Sequence, residues 1–307
     1  MIVYDLVIIG GGPAGVAAGI YAARKKIKSA IIADGFGGQS LVSNDIQNWI
    51  GTKSVSGFDL AKMMEDHLRA QEGIDTIYPA RANKVEKTAD GFMIEVDDGK
   101  KIKAKTILMT TGSRRRKIGV PGEAELDGKG VAYCSTCDAP IFSGKTVAVV
   151  GGGNAGLEAV LDLSNYASKI YLLEFSDKLK GDLITQEKVK SNDKVEIILR
   201  AKTLEILGDK LVTGLKYQDL AGNEERGLRL DGVFIEIGAL PNSDLVRDLV
   251  KLNDREEIIV DHKTQQSSQK GIWAAGDVSD VLYKQNNISA GDAVKAVLNV
   301  NEYLNRF

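Results

Sequence analysis

Asp5-Leu-Val-Ile-Ile-Gly-Gly-Gly-Pro-Ala-Gly15 returns 141 residues later as Thr146-Val-Ala-Val-Val-Gly-Gly-Gly-Asn-Ala-Gly156. Each copy is a short β-branched run, a glycine turn and an Ala/Leu-rich stretch with helical spacing. A second apolar strand follows each, at Ser29–Ala33 and at Lys169–Leu173. That order is a βαβ unit written twice. The turns read Gly10-x-Gly12-x-x-Gly15 and Gly151-x-Gly153-x-x-Gly156. Glycines at this spacing let the chain turn, let backbone amides approach a pyrophosphate and let helix pack on sheet. The helix N-terminus attracts the negative charge. One such fingerprint is weak evidence; two in strand–turn–helix context predict two dinucleotide sites.

The echo continues downstream. Ala82–Met109 reads as three short strands, with turns at Ala89-Asp90-Gly91 and Asp97-Asp98-Gly99. Ala201–Ile237 reads similarly, with turns at Gly208-Asp209 and Ala221-Gly222-Asn223. A glycine-rich segment near Gly276 and a helical tail over Ala290–Leu304 come after the second copy, so that copy is inserted in the first. The expected class is α/β, with two Rossmann-like domains of three-layer ββα type. The first spans residues 1–113 and 244–307 and the second 114–243, with hinges near Ser113–Lys117 and Pro241–Asp244.

Bulk properties narrow the function classes. With 40 basic and 42 acidic side chains among 307 residues, the chain has neither a nucleic-acid footprint nor an anionic-membrane one. No apolar run approaches the ~20 residues of a membrane span. Met1 to Ile9 leads straight into the glycines without a secretory signal, so a cytoplasmic location is expected. Thiols stay reduced there, and paired cysteines are then more often catalytic or metal-binding than structural.

Cys134-Ser-Thr-Cys137 holds every cysteine of the chain. Half a zinc site is one reading, but His67 and His262 are the only histidines and there is no second cysteine pair, so no metal is expected. The sharper reading is a redox dithiol, in which one thiolate attacks a disulfide and the other resolves the mixed intermediate. Asp138, beside the pair, either manages protons or caps a helix. Glu174 ends its strand 18 residues after Gly156, and a carboxylate there suits a free ribose 2′-hydroxyl and repels a 2′-phosphate. Phe175, Ser176 and Asp177 offer no arginine fork, so NADH is favoured, while Lys178 and Lys180 leave NADPH open. Asp34 either receives an adenosine ribose or is a solvated turn residue. Asp277, after Gly271-Ile-Trp-Ala-Ala-Gly276, either reaches a ribityl or pyrophosphate region or belongs to an ordinary turn. Arg114-Arg-Arg-Lys117 reads as a solvated hinge, with docking of an acidic partner secondary. Trp49 and Trp273 either flank a cofactor or lie in the core.

With these pieces in order, the chain resembles the low-molecular-weight thioredoxin reductase family over essentially its whole length. Gly10–Gly15, Gly37-Gly38-Gln39, Asn48-Trp49, Thr110-Thr111-Gly112, Cys134–Asp138, Gly151–Gly156, Gly276-Asp277 and Tyr283–Gly291 carry the match. Tyr133-Cys134, Asp138–Phe142 and Leu172–Phe175 look most like the reductase portion of the alkyl hydroperoxide reductase flavoprotein subunit. That larger protein has an N-terminal thioredoxin-like module not seen here, which implies a separate thioredoxin- or glutaredoxin-like partner, feeding a peroxiredoxin system.

The resemblance implies FAD on the discontinuous domain, held by Gly10, Gly12, Pro13, Ala14, Gly15, Asp34, Gly38, Gln39, Asn48, Thr111, Gly112, Gly276, Asp277, Lys284, Gln285 and Asn286. It implies NAD(P)H at Gly151, Gly153, Asn154, Ala155, Gly156 and Glu174, on the domain with the cysteines. Cys137 would face the flavin and Cys134 would attack the partner. A homodimer and a swivel of the nicotinamide domain are also implied. Members that use NADPH carry a His-Arg-Arg run and a further Arg where this chain has Glu174-Phe-Ser176 and Lys180. Lys284 replaces the family's usual Arg. Alternatives on the same scaffold are a ferredoxin-fed reductase, a small-molecule dithiol oxidase and a non-catalytic redox-sensing flavoprotein. The intact second fingerprint argues against the first two, which need no nicotinamide.

Overall fold

The computed structural model describes residues 2–43 and 46–306. The chain forms two compact units, one from Met1–Arg114 with Leu240–Phe307 and the other from Arg115–Ala239. It passes between them through Ser113–Arg115 and Ala239–Pro241, short strands that pair with each other. The return crossing lies just ahead of the expected Pro241–Asp244. Asn242 already belongs to the first unit, where its amide donates to the Thr111 carbonyl at 2.8 Å and its carbonyl accepts from Thr111 Oγ1 at 2.7 Å.

In the first unit, Ile272–Ala274, Lys101–Met109, Val3–Ile9, Ser29–Ile32 and Ile74–Ile77 lie side by side, all parallel. Leu6, Val7 and Ile8 are fully buried, which explains the unbroken apolar run: a parallel strand is covered on both faces. The helix Pro13–Arg24 links the first two strands in sequence and starts on proline, whose missing N–H costs nothing at a first turn. The helix Gly57–Arg69 is capped by Ser56 Oγ, which accepts the Asp59 amide at 3.0 Å, and buries Leu60, Met64 and Leu68. Ala82–Thr88, Gly91–Val96 and Lys101–Met109 form the antiparallel meander expected from the two Asp-Gly turns. The final helix runs over Asn286–Leu304, starting four residues before the sequence-based expectation.

The second unit repeats the plan. Val195–Leu199, Lys169–Glu174, Thr146–Val150, Gly232–Ile235 and Val131–Ala132 make a parallel sheet in that spatial order. A separate antiparallel sheet holds Ala201–Gly208, Val212–Asp219 and Glu224–Arg229. The stretch expected as three strands to Ile237 therefore contains a fourth, Gly232–Ile235, which returns to the parallel sheet. Among the described residues, no helix is long and apolar enough to cross a membrane.

Trp273 belongs to the first unit's core. It is fully buried, its Nε1 donates to Asn299 Oδ1 at 3.0 Å, and it meets Tyr303 edge-on with centroids 5.3 Å apart. Trp49 packs on the same core half-buried. Trp273→Ala is expected to destabilise the first unit by about 3–5 kcal/mol, the usual cost of emptying a large aromatic site. Urea unfolding followed by circular dichroism measures it, and a loss under ~1 kcal/mol would contradict the assignment.

Candidate active site

The first glycine turn opens a cavity of about 790 Å3, within the range of roughly 300–1,000 Å3 typical of cofactor sites. Its wall contains Gly10, Gly12, Pro13, Ala14, Asp34, Gly38, Gln39, Thr111, Gly112, Gly276, Asp277 and Asn286. No side chain caps the helix Pro13–Arg24, so its N-terminal amides are left to whatever occupies that wall. Gly15 works from behind: a Cβ there would collide with the Gly10 carbonyl oxygen.

Three further expected residues stand off the wall. Asn48 donates to Gln285 Oε1 at 3.2 Å and its carbonyl accepts from Asn287 Nδ2 at 2.7 Å, tying a loop to the start of the last helix. Lys284 pairs with Glu257 at 2.9 Å and donates to the Ser279 carbonyl at 2.6 Å, bracing the Gly276-Asp277 loop from outside the cavity.

The wall also holds residues without a motif. Ala80–Asn83 enters because Ile74–Ile77 pairs beside Ser29–Ile32. Arg81 pairs with Asp34, so the carboxylate expected at a ribose already has a cationic neighbour. Arg114 donates to Asn242 Oδ1 at 2.8 Å, Ser113 Oγ to Asp277 at 3.3 Å, and Gln39 to the Ser113 carbonyl.

In the second unit Gly153 caps the helix Asn154–Ser164, again without a side-chain bond, and the space over its Cα is open. Asn154 accepts the Asp182 amide at 2.8 Å. Glu174 turns back into the glycine loop. Its Oε2 accepts the Gly152 amide at 2.7 Å, and its Oε1 accepts the Ser176 amide at 2.8 Å and the Ser176 hydroxyl. Burial pushes Glu174 up, but these donors and Lys180 outweigh it and hold the carboxyl below its usual range. A fixed negative charge therefore ends this strand.

The strand Val131–Ala132 leads to the cysteines. Tyr133, next in line, donates to buried Glu123 at 2.9 Å. Cys134 caps a short helix, Ser135–Asp138, in extended backbone, and is bonded to Cys137 with their Cα atoms 5.3 Å apart. Both cysteines are half-buried and Thr136 between them is exposed. The Ser135 and Thr136 hydroxyls donate to Asp162 at 2.8 and 3.2 Å. Asp138 stands at the cap of the next 3-10 turn, Ala139–Phe142, but makes no side-chain cap bond. Burial pushes it up to about 6, with Arg115 pulling the other way. Asp162 and Glu236 around this turn escape sequence reading, because nothing local marks them, and Arg115, read in sequence only as part of a solvated hinge, joins them; the fold brings the three in from separate elements.

Residues 4–295 match the family model of the pyridine nucleotide-disulphide oxidoreductases. The chain is 41% identical over 303 residues to the F subunit of alkyl hydroperoxide reductase from Staphylococcus aureus, covering 99% of this chain and 59% of that protein. The corresponding protein of Pseudomonas putida is 44% identical over 306 residues, covering 99% and 58%. The chain thus spans somewhat over half the length of these relatives. Thioredoxin reductase from Streptococcus pyogenes superposes with a TM-score of 0.91 at 34% identity, covering 99% of both chains.

Glu174 yields a stability test. A carboxyl held low stabilises the fold above its unfolded value, about 4.3, and that contribution is lost as pH falls through the folded value. Glu174→Ala also strands the Gly152 amide. It is expected to cost about 1–3 kcal/mol at pH 7, with the gap to wild type narrowing below about pH 4. Urea unfolding at the two pH values reads both numbers; a gap that widens in acid would overturn the assignment.

Proposed function

The chain belongs to the pyridine nucleotide-disulphide oxidoreductase family, and on that premise we propose that it reduces protein disulfides with electrons from NADH. FAD and the Cys134–Cys137 pair are the carriers. The observation behind this reading is the paired cysteines themselves, half-buried on a short turn beside an acid held near neutrality, in the unit that also carries a nucleotide fingerprint.

The first unit is the FAD domain in this proposal. Its wall fits the cofactor: an uncapped helix N-terminus for the pyrophosphate, Arg81 and Arg114 for its charge, and volume for the remainder. Bound there, FAD supplies two-electron chemistry between nicotinamide and disulfide. Gly12 and Gly38 keep the approach free of side chains, Asp34 and Gln39 orient the polar groups, and Lys284 keeps the Gly276-Asp277 loop in shape.

The second unit is the nicotinamide domain. The Gly151–Gly156 turn receives the pyrophosphate, and Glu174 discriminates. Its charge meets a 2′-phosphate with repulsion and leaves a ribose hydroxyl an acceptor. Exposed Lys178 and Lys180 soften that preference without reversing it.

Reduction of the Cys134–Cys137 bond takes two electrons and two protons, so both sulfurs end as thiols. Asp138, adjacent to Cys137, holds a proton below about pH 6 and exchanges it there. Cys134 then attacks one sulfur of the partner's disulfide, and Cys137 resolves the mixed disulfide and restores the bond. The partner is a thioredoxin- or glutaredoxin-like protein serving a peroxiredoxin, and the enzyme is a cytoplasmic homodimer.

Anaerobic titration of the flavin-loaded protein should bleach flavin absorbance stoichiometrically with NADH and at least tenfold less effectively with NADPH. A flavin that neither nucleotide bleaches would refute the donor assignment. Cys134→Ser should retain bleaching by NADH and lose at least ~100-fold in reduction of a thioredoxin disulfide. Retained protein-disulfide turnover would refute the dithiol's role.

A further inference from the structure

Glu236 takes no part in the proposed electron path. It follows the strand Gly232–Ile235, which runs between Thr146–Val150 and Val131–Ala132. On one side its amide donates to the Val150 carbonyl at 2.9 Å, and a Cβ on Gly151 would come within 2.5 Å of its carbonyl oxygen. On the other side Val233 pairs with Val131 and Phe234 with Ala132. Two more residues of that register bring Glu236 level with Cys134. The residue is 8% exposed, and its carboxylate lies close enough to the backbone amide of Ser135, the first residue after Cys134, to be stabilised by it.

The charged groups around it come from separate elements. Arg115 is on the crossing strand, Asp138 on the short helix and Asp162 on the helix Asn154–Ser164. Burial raises Glu236 to about 7; Arg115 and the Ser135 amide oppose that, and the two aspartates add to it. Whether protonated or ionised, the carboxyl keeps an oxygen free to accept from Ser135.

We propose that Glu236 is a positioning residue for the dithiol: by gripping the Ser135 amide from the strand beside both the glycine loop and the cysteine-bearing segment, it holds Cys134 within closing distance of Cys137. The proposal rests on the dithiol being redox-active. Its weight falls on the reduced state. While the disulfide is closed, the covalent bond fixes the turn. Once it opens, the turn is held by the Ser135 amide on Glu236 and by the Ser135 and Thr136 hydroxyls on Asp162. Losing the first of these lets the thiols drift apart, and a closing ring then has more conformational entropy to lose.

The quantity to measure is the equilibrium between the pair and glutathione. Flavin-loaded protein is equilibrated anaerobically in glutathione buffers, alkylated, and weighed by mass spectrometry; the two cysteines are the chain's only ones, so the count reads the pair directly. Glu236→Ala should lower the effective concentration of the two thiols about tenfold, corresponding to ~30 mV for a two-electron couple. Glu236→Gln keeps an acceptor oxygen and should remain within about threefold of wild type. Ser135→Pro removes the donor at a position where a first helical turn tolerates proline, and in that background Glu236→Ala should change the equilibrium less than twofold. An unchanged Glu236→Ala, a Glu236→Gln as weak as the alanine variant, or a full tenfold effect persisting with Ser135→Pro each overturns the proposal while leaving the dithiol reading intact. A wild-type pair that never equilibrates with glutathione refutes that reading, and this proposal with it.

Discussion

In both units the structure depends on a place where only hydrogen fits. The Gly10 and Gly151 carbonyl oxygens occupy the positions that Cβ atoms on Gly15 and Gly156 would need. The helix is thereby drawn hard against the end of the strand before it, and its uncapped N-terminus faces the place where a pyrophosphate is expected. Repulsion at such separations is steep, so no neighbouring adjustment substitutes for the missing methyl. The rest follows by length and pairing: parallel strands stack beside the first, and because a parallel sheet must be covered, helices take one face and an antiparallel meander the other.

This is why the fold was legible in residues 5–15 and 146–156. A steric requirement leaves the same residue type at the same spacing wherever it recurs. The meanders were readable for a similar reason, since Asp-Gly turns in the first unit and Gly-Asp and Gly-Asn turns in the second impose local geometry between short strands. The return of Gly232–Ile235 to the parallel sheet was not readable, because its partners lie about 85 and 100 residues away, at Val147–Val150 and Val131–Ala132.

Side-chain function was less legible than backbone function. Asp34 and Glu174 stand at equivalent strand ends and look alike in sequence, yet one is exposed and paired with Arg81 while the other is buried and takes three donors. The difference is set by Ala80–Asn83 in one unit and by Ser176 and Gly152 in the other, and of these only Ser176 is local in sequence. Lys284 shows the same limit. Its place after Gly276-Asp277 marks it for the cofactor, but Glu257 and two backbone carbonyls hold its ammonium outside the cavity wall.

In the second unit Glu174, Asp138 and Glu236 meet desolvation with opposite results, and the number of donors decides between them. Glu174 has two amides and a hydroxyl on its oxygens, enough to overcome burial and keep it ionised. Asp138 has Arg115 alone against burial, and Glu236 has Arg115 and one amide against burial and two neighbouring acids. These last two therefore sit near 6 and near 7. Nucleotide discrimination needs a charge that does not change with protonation, because a neutral acid would no longer repel a 2′-phosphate. Disulfide chemistry needs the reverse, groups that gain and lose protons near neutral pH while two sulfurs do the same. On the proposed reading, one unit would meet both demands by giving Glu174 a full set of N–H and O–H donors and leaving Asp138 and Glu236 with fewer.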